Sequence, residues 1–442
     1  MFDYIKKRYI RKAYNYVNKD PENNLPRFLD LIDFYGRHSG YKRQIDGFRE
    51  IISNQESNWQ ELILSFWDLD EDVRRTIFEN FIIKANLEWG KKREEKIAKY
   101  DCNIPWTILI DPTSACNLKC IGCWAAEYGN KLNLSYETLN SIIMQGKDLG
   151  IYMYLFSGGE PLVRKKDIIR LCEEHDDCQF LAFTNGTLID EQFCLDMLRV
   201  KNFIPAISVE GFEQATDFRR GEGTFKRVDN AMNLLKKHRL PFGISCCYTS
   251  QNIDIIGSEE YFDWMIEKSA KFCWFFTYMP IGTTSPTDLM VTAEQREEMY
   301  HRIREFRKTK PLFTIDFWND GQYVNGCIAG GRNYLHINAN GDIEPCAFIH
   351  YSNSNIHQDS LLDGLRSPLF MEYRKGQPFN ENHLRPCPLL DNHKKLQGMV
   401  ERSHAHSTDL QQPEDIRDLT EKCKEKSEKW AKTAERLWNQ SH

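Results

Sequence analysis

The chain has 442 residues, of which 41% are hydrophobic and 12% aromatic, ample for a packed core and more than one average domain. A formal net charge of −6 gives no electrostatic argument for a nucleic-acid partner. No apolar run approaches the roughly 18 residues of a membrane-spanning helix. The opening MFDYIKKRYIRK also lacks the apolar stretch of a secretory signal, so a cytosolic protein is expected. Fourteen cysteines in a reducing compartment then point to metal ligands or catalytic groups before disulfides.

Residues 1–98 repeat apolar side chains at three- and four-residue spacing with few glycines, which predicts a helical N-terminal region. From Trp106 the pattern becomes short apolar runs at 106–110, 152–156, 179–184, 203–209, 242–248 and 273–279. Helix-like stretches at 136–149, 165–175, 190–200, 224–238 and 259–271 separate them. This alternation predicts an α/β fold with a parallel sheet. Six βα units fall short of the eight of a closed barrel, so the expected form is a partial (β/α)6 barrel. Thr292 and Gln295 make a capping box for a helix over 293–309. A small loop-rich domain follows from Phe313, and a charged amphipathic helix spans about 413–439. The implied division is 1–98, 99–290, 291–400 and 401–442.

Cys116-Asn-Leu-Lys-Cys120-Ile-Gly-Cys123 directly follows the first predicted strand. Three thiolates on one loop suit three irons of a [4Fe–4S] cluster and leave the fourth iron open. A zinc knuckle is the alternative, although zinc wants a fourth protein ligand that the neighbouring sequence does not offer. The CxxxCxxC loop with Trp124 after it resembles the signature of the radical S-adenosylmethionine (SAM) superfamily. That resemblance implies a SAM-binding [4Fe–4S] cluster on Cys116, Cys120 and Cys123. It also implies one-electron cleavage of SAM to a 5′-deoxyadenosyl radical that abstracts hydrogen from an unactivated substrate carbon.

Ser157-Gly158-Gly159-Glu160-Pro161 closes the second predicted strand, and paired glycines let a backbone approach a ligand closely. It matches the family's GGE motif, which implies that Gly158, Gly159 and Glu160 contact the SAM amino group. Asn185 closes the third strand; Ser208 and Glu210 close the fourth. All three are ordinary turn residues by type, and the resemblance gives them the SAM ribose and carboxylate. Arg219 and Arg220 follow, and a guanidinium suits a carboxylate such as that of the methionyl group; a solvated basic turn is the alternative.

Cys327 is followed by Gly341, Cys346 and, much later, Cys387, and YLHINANGDIEPC reads as a β-hairpin about an Asn-Gly turn. The hairpin returns Cys346 towards Cys327. This resembles a shortened SPASM (or twitch-like) module, which implies one auxiliary [4Fe–4S] cluster on Cys327, Cys346 and Cys387. The chain departs from the full module by lacking the further cysteines of a second auxiliary cluster. Asp391, His393, water or substrate are the candidates for the fourth iron. Scattered buried thiols are the alternative reading. Cys102, Cys172, Cys178, Cys194, Cys246, Cys247, Cys273 and Cys423 read as structural.

Residues 2–17 place Phe2, Ile5, Tyr9, Ala13 and Tyr16 at helical spacing among Lys6, Lys7, Arg8, Arg11 and Lys12. Such a helix either docks on its own protein or lies in a membrane interface, and the second reading adds peripheral membrane contact and a lipid-chain substrate. Peptides and tetrapyrroles are the other substrate classes, with flavodoxin or ferredoxin as the implied reductant. A helical N-terminus weakens the peptide case, because peptide-modifying SPASM relatives often begin with a winged-helix module. A non-catalytic iron–sulfur electron carrier and a zinc-stabilised binding module are the competing classes. An aromatic run at 274–279 reads as core before cavity wall.

Overall fold

The structure is a computed structural model that describes residues 11–25 and 57–441. Its centre is a single sheet ordered β7-β6-β5-β4-β3-β2-β1-β8-β9. The first six strands are β1 Thr107–Ile110, β2 Met153–Phe156, β3 Gln179–Thr184, β4 Phe203–Ser208, β5 Gly243–Tyr248 and β6 Phe272–Thr277. They pair in parallel and in sequence order, each within a residue or two of its predicted run. The intervening helices include Tyr136–Leu149, Lys165–Glu174, Glu191–Val200, Thr224–Lys237 and Glu259–Glu267. The side chains of Ser135, Asp190 and Ser258 start three of these helices by accepting from the backbone N–H three residues on. The capping box of Thr292 and Gln295 is present and opens Ala293–Thr309.

Three further strands lengthen the expected half-barrel. β7 Phe313–Asp316 adds in parallel to β6. β8 Tyr334–Ile337 adds in parallel to the other edge, on β1, and turns back through the hairpin into β9 Ile343–Glu344. The sheet therefore continues past the boundary expected at residue 290, and the hairpin that leads to Cys346 is paired with β1, the strand that precedes Cys116.

Side chains alternate between the two faces, as strand geometry requires. Ile108, Ile110, Phe156, Phe180, Cys246, Cys273 and Phe275 face the helices and are fully buried. Leu109, Leu155, Leu181 and Ala206 face inward, where the half-barrel is filled from below. Trp106 seals that lower end: its indole N–H donates to the Ala85 carbonyl at 3.0 Å, and Phe81 meets its ring edge-on at 5.9 Å. Asn80 caps the carbonyls of Asp176 and Cys178 at 2.8 and 2.9 Å, tying the N-terminal helices to the sheet. On β6 the two sides separate the predicted aromatic run. Phe275 is core under the helices, whereas Trp274 and Phe276 stand half-buried on the inner face.

Of the basic helix predicted at 2–17, residues 2–10 lie outside the described residues. Its described turns dock on the protein: Ala13, Tyr14 and Val17 are buried, and the Tyr14 ring stacks on Phe78 at 4.7 Å. Among the described residues no helix is long and apolar enough to cross a membrane.

The C-terminal helix Ile416–Ser441 buries Ile416, Leu419, Cys423, Trp430, Ala434 and Leu437, the face its periodicity predicts. Trp430 lies under the guanidinium of Arg296, 4.1 Å from ring centroid to carbon. Arg296 in turn bonds Asp391 Oδ1 at 2.6 Å and Asn319 Oδ1 at 2.8 Å, all three residues being buried. Removing one partner of a buried ion pair strands the other charge, at about 3–5 kcal/mol. Arg296→Leu is therefore expected to lower the unfolding free energy, read by chemical denaturation, by about that much, and Arg296→Leu/Asp391→Leu to recover most of the loss.

Candidate active site

The C-terminal ends of the parallel strands carry the predicted residues. The loop holding Cys116, Cys120 and Cys123 leaves β1 and is fastened to its neighbours by backbone bonds. The Gly159 N–H donates to the Thr113 carbonyl at 3.0 Å and the Glu160 N–H to the Ala115 carbonyl at 2.8 Å. Gly158 takes φ +102, and a Cβ on Gly159 would lie 2.3 Å from the Ala115 oxygen and 2.4 Å from the Ser114 oxygen. Only glycine permits this contact. Further along the loop, the Ile121 N–H donates to the Arg219 carbonyl at 2.9 Å.

Glu160 is buried, and its oxygens accept from the Leu162 N–H, the Thr184 hydroxyl and the Asn185 N–H at 2.9, 2.6 and 2.7 Å. Burial pushes its carboxyl upward against these bonds. Asn185 Nδ2 donates to Asn117 Oδ1 at 2.8 Å and stands 4.0 Å from Cys116 Sγ. Ser208 ends β4 opposite Ser245 of β5. Glu210 is fully buried between two guanidiniums: Oε1 accepts from Arg219 at 2.5 Å and from Arg220 at 2.5 and 2.9 Å, and Oε2 from the Cys247 N–H at 3.1 Å. Burial works to raise its carboxyl, but the two arginine charges outweigh that and hold it below the ordinary value. Arg220 also reaches Cys120 Sγ at 3.9 Å, while Arg219 keeps a buried Nε without a hydrogen-bond partner. A short helix that the periodicity does not predict, Glu213–Arg220, delivers both arginines.

The later cysteines gather at the other end of the ladder, where Tyr334 at the start of β8 pairs with Thr107 at the start of β1 and its hydroxyl lies 2.6 Å from Cys346 Sγ. The Gly330 N–H donates to the Pro345 carbonyl at 2.9 Å, closing the Cys327 loop on the hairpin. The side chain of Gln377 donates to the carbonyls of Cys327 and Ala329 at 3.1 and 2.9 Å. Asp391 Oδ2 accepts from the Cys387 N–H at 2.9 Å. Asp391 is thus a support for the Cys387 loop, paired with Arg296, and not a spare ligand. The charges that reach His393 come from Lys394 and from Glu421, Lys424 and Glu428 of the C-terminal helix. Both ring nitrogens of His393 are buried without a hydrogen-bond partner.

Between the triads lies a polar chain that sequence reasoning missed. Trp124 contacts His336 at 5.7 Å, Phe348 at 5.8 Å and His350 at 6.1 Å. His336, on β8, donates from Nδ1 to Glu344 at 2.6 Å, and its Nε2 lies 3.0 Å from Asp111 Oδ2 as an ion-pair contact outside hydrogen-bond geometry. Glu344 also accepts from the Tyr128 hydroxyl at 2.9 Å, from Asn338 at 3.0 Å and from Thr408. Tyr128 stacks on His350, which pairs with Asp409 at 2.5 Å. Burial opposes charge on His336, but Asp111 and Glu344 dominate and raise it to about 10. Its only sequence signal is placement: it sits inward on a strand that runs beside β1.

Residues 110–262 match the Radical SAM superfamily, and residues 327–388 match SPASM, an iron-sulfur cluster-binding domain. The chain carries a radical SAM domain followed by a SPASM domain. Among curated relatives, the Clostridium perfringens cysteine-type anaerobic sulfatase-maturating enzyme is 29% identical over 244 residues, covering 50% of this chain and 62% of that one. The chain thus spans less than two thirds of that relative. The AdoMet-dependent heme synthase of Methanosarcina barkeri is 24% identical over 286 residues, 58% of this chain and 80% of that one. Among solved structures, Streptococcus suis SuiB bound to precursor peptide SuiA aligns with TM-score 0.54 at 22% identity, over 65% of this chain and 71% of that one, a likeness of fold.

Radical SAM domains bind a [4Fe–4S] cluster and SAM, and SPASM domains bind auxiliary iron–sulfur clusters. The donor set fits both. Cys116 Sγ accepts from the Leu118 N–H at 3.4 Å and Cys387 Sγ from the Leu390 N–H at 3.3 Å. Backbone N–H groups of Ala125, Ala329 and Phe348 do the same for Cys123, Cys327 and Cys346. Amides aimed at sulfur stabilise a thiolate. Without a cation, burial pushes the thiols upward, Cys116 to about 11 and Cys327, Cys346 and Cys387 to about 12. Among the described residues neither triad is drawn tightly enough to enclose a single metal ion.

Two expectations follow. Gly159→Ala should displace the Cys116 loop, lowering both the iron retained after reconstitution and SAM affinity, read by iron assay and equilibrium dialysis. His336, facing Asp111, Glu344, Tyr128 and His350, is raised from an ordinary 6.5. Its stabilising charge is fully present below pH 6.5 and lost as pH rises towards about 10. Unfolding free energy of the metal-free protein should fall across that window, and His336→Gln should flatten the slope.

Proposed function

We propose that the chain is a radical SAM oxidoreductase in which Cys116, Cys120 and Cys123 hold the SAM-binding [4Fe–4S] cluster and Cys327, Cys346 and Cys387 an auxiliary one. The observation that supports this reading is that two thiol triads are gathered at the two ends of one strand pair, the first after the C-terminal end of β1 and the second beside the start of β8. Gly158, Gly159, Glu160, Asn185, Ser208, Glu210 and Arg219 line the approach to the first triad. When bound and reduced, the first cluster supplies the electron that cleaves SAM to the hydrogen-abstracting 5′-deoxyadenosyl radical. The chain's own part is to hold the ligand and shield the chemistry. Glu160 is fixed by three donors, and Arg219 keeps one buried donor free for an anionic group such as a carboxylate.

The wall between the triads supports a bulky apolar or aromatic substrate group. Phe183, Trp274, Phe276 and Phe317 stand half-buried there, and Phe183 packs on Trp274 at 4.9 Å. Relatives named for sulfatase maturation, heme synthesis and PqqA peptide cyclisation favour a peptide or tetrapyrrole over a lipid chain. The lipid reading leaned on residues 2–17, whose described part packs on the protein. A flavodoxin or ferredoxin is the reductant in this reading, and the cytoplasm its location.

The deciding experiment is anaerobic reconstitution, then SAM and dithionite, with 5′-deoxyadenosine read by mass spectrometry. Wild type should form it, and Cys116→Ala/Cys120→Ala/Cys123→Ala should not. That variant and Cys327→Ala/Cys346→Ala/Cys387→Ala should each lose about four irons. Iron without SAM cleavage would favour the electron carrier, and zinc in place of iron the binding module.

A further inference from the structure

Three thiols leave one iron of a [4Fe–4S] cluster without a protein ligand. Resting on the auxiliary-cluster reading above, the remaining corner can be assigned from what else faces Cys327, Cys346 and Cys387. Both oxygens of Asp391 are taken, by Arg296 and by the Cys387 N–H, and the charges that act most on His393 are those of Lys394 and the C-terminal helix, whereas two phenols lie among the thiols. The Tyr334 hydroxyl, at the start of β8, lies 2.6 Å from Cys346 Sγ. Tyr373, on the helix Pro368–Gly376, is fully buried, and its hydroxyl has no hydrogen-bond partner. Buried hydroxyls are rarely left unpaired, so this one is a donor atom waiting for something.

Among the described residues, the charges that act most on Tyr373 are those of the three thiols Cys327, Cys346 and Cys387. Its ring is held at that place from two sides. A Cβ on Gly330 would come within 2.6 to 2.7 Å of Tyr373 Cβ, Cγ and Cδ1, so a glycine at φ +62 lets the Cys327 loop close onto the ring. Phe379 meets it edge-on at 5.3 Å. We infer that Tyr373 is the fourth protein ligand of the auxiliary cluster, its phenol oxygen taking the iron that the three cysteines leave open. One iron–oxygen bond forms, the phenol proton leaves to solvent, and no oxidation state changes. Tyr334 has a different part, donating to the Cys346 sulfur and tuning the cluster's potential. With four protein ligands the site has no vacancy for substrate, so its role is electron transfer.

The test uses the full chain with Cys116→Ala/Cys120→Ala/Cys123→Ala, so that only the auxiliary site is loaded, reconstituted anaerobically and reduced. The probe is 13C-cyanide, followed as a 13C hyperfine coupling to the cluster's paramagnetic resonance. The parent should hold about four irons and show no coupling. Tyr373→Phe should keep its iron and gain the coupling; Tyr373→Cys, which restores a ligand, should lose it again. Tyr334→Phe should shift the reduction potential and bind no cyanide. The inference is overturned if the parent already binds cyanide, if Tyr373→Phe behaves as the parent, or if Cys423→Ala opens the site instead. Cys423 is the competitor because the charge of Cys387 reaches it. Should Tyr373→Phe lose iron, rescue by Tyr373→Cys supports ligation, and failure of that rescue overturns it. A parent without iron defeats the auxiliary-cluster reading itself, a result none of the other arms produces.

Discussion

The pairing of β8 on the free edge of β1 is the contact on which the site depends. An open strand edge offers unpaired N–H and C=O groups and must be covered or blunted. Here the cover comes from more than two hundred residues away in the chain, and it arrives with the hairpin that carries Cys346. The first triad leaves the end of β1 and the second flanks the strand beside it. One ladder therefore sets the two thiol triads at the opposite ends of one strand pair. His336 reinforces the seam from within, placing a buried cation between Asp111 at the end of β1 and Glu344 of the hairpin.

Charge is handled differently at the two triads. Around the first, Arg219 and Arg220 bring two guanidiniums beside a thiol loop, and Glu210 balances them from a fully buried position. A sulfur-rich anionic cluster with an anionic ligand is the sort of group such an arrangement suits. Around the second stand backbone amides, Gln377, two phenols and one guanidinium, Arg332, which donates to the Cys327 carbonyl at 2.8 Å. The nearest ion pair, Arg296 with Asp391, acts one step back by holding the backbone of Cys387.

Trp124 occupies the space between. It follows Cys123 directly and packs on Phe348, two residues past Cys346. The half-barrel's inner aromatic side chains continue from Phe348 to Phe276 and Trp318. A substrate group entering the mouth would meet this wall with a thiol triad on either side. Apolar walls of this kind exclude water from reactive intermediates, which suits radical chemistry.

Much of this was legible in the chain alone. Short apolar runs mark β1 to β6, and near-four-residue periodicity marks the helices between them and the C-terminal helix, because a strand buried on both faces and a helix buried on one each leave a local pattern. The cysteine spacings and the glycine pair were equally plain, since chemistry that needs three thiols on one loop leaves a local pattern. Only the tertiary structure could add β7 and β8 to the sheet, turn Trp274 and Phe276 inward, or bring His336 between Asp111 and Glu344. Tyr373 was beyond reading for the same reason. It stands 46 residues after Cys327 and 14 before Cys387, and nothing about a tyrosine on a short helix says that it faces three thiols until the chain has folded. Local periodicity is a property of neighbouring residues, whereas a site assembled from distant segments depends on which strand edge is left open and what comes to cover it.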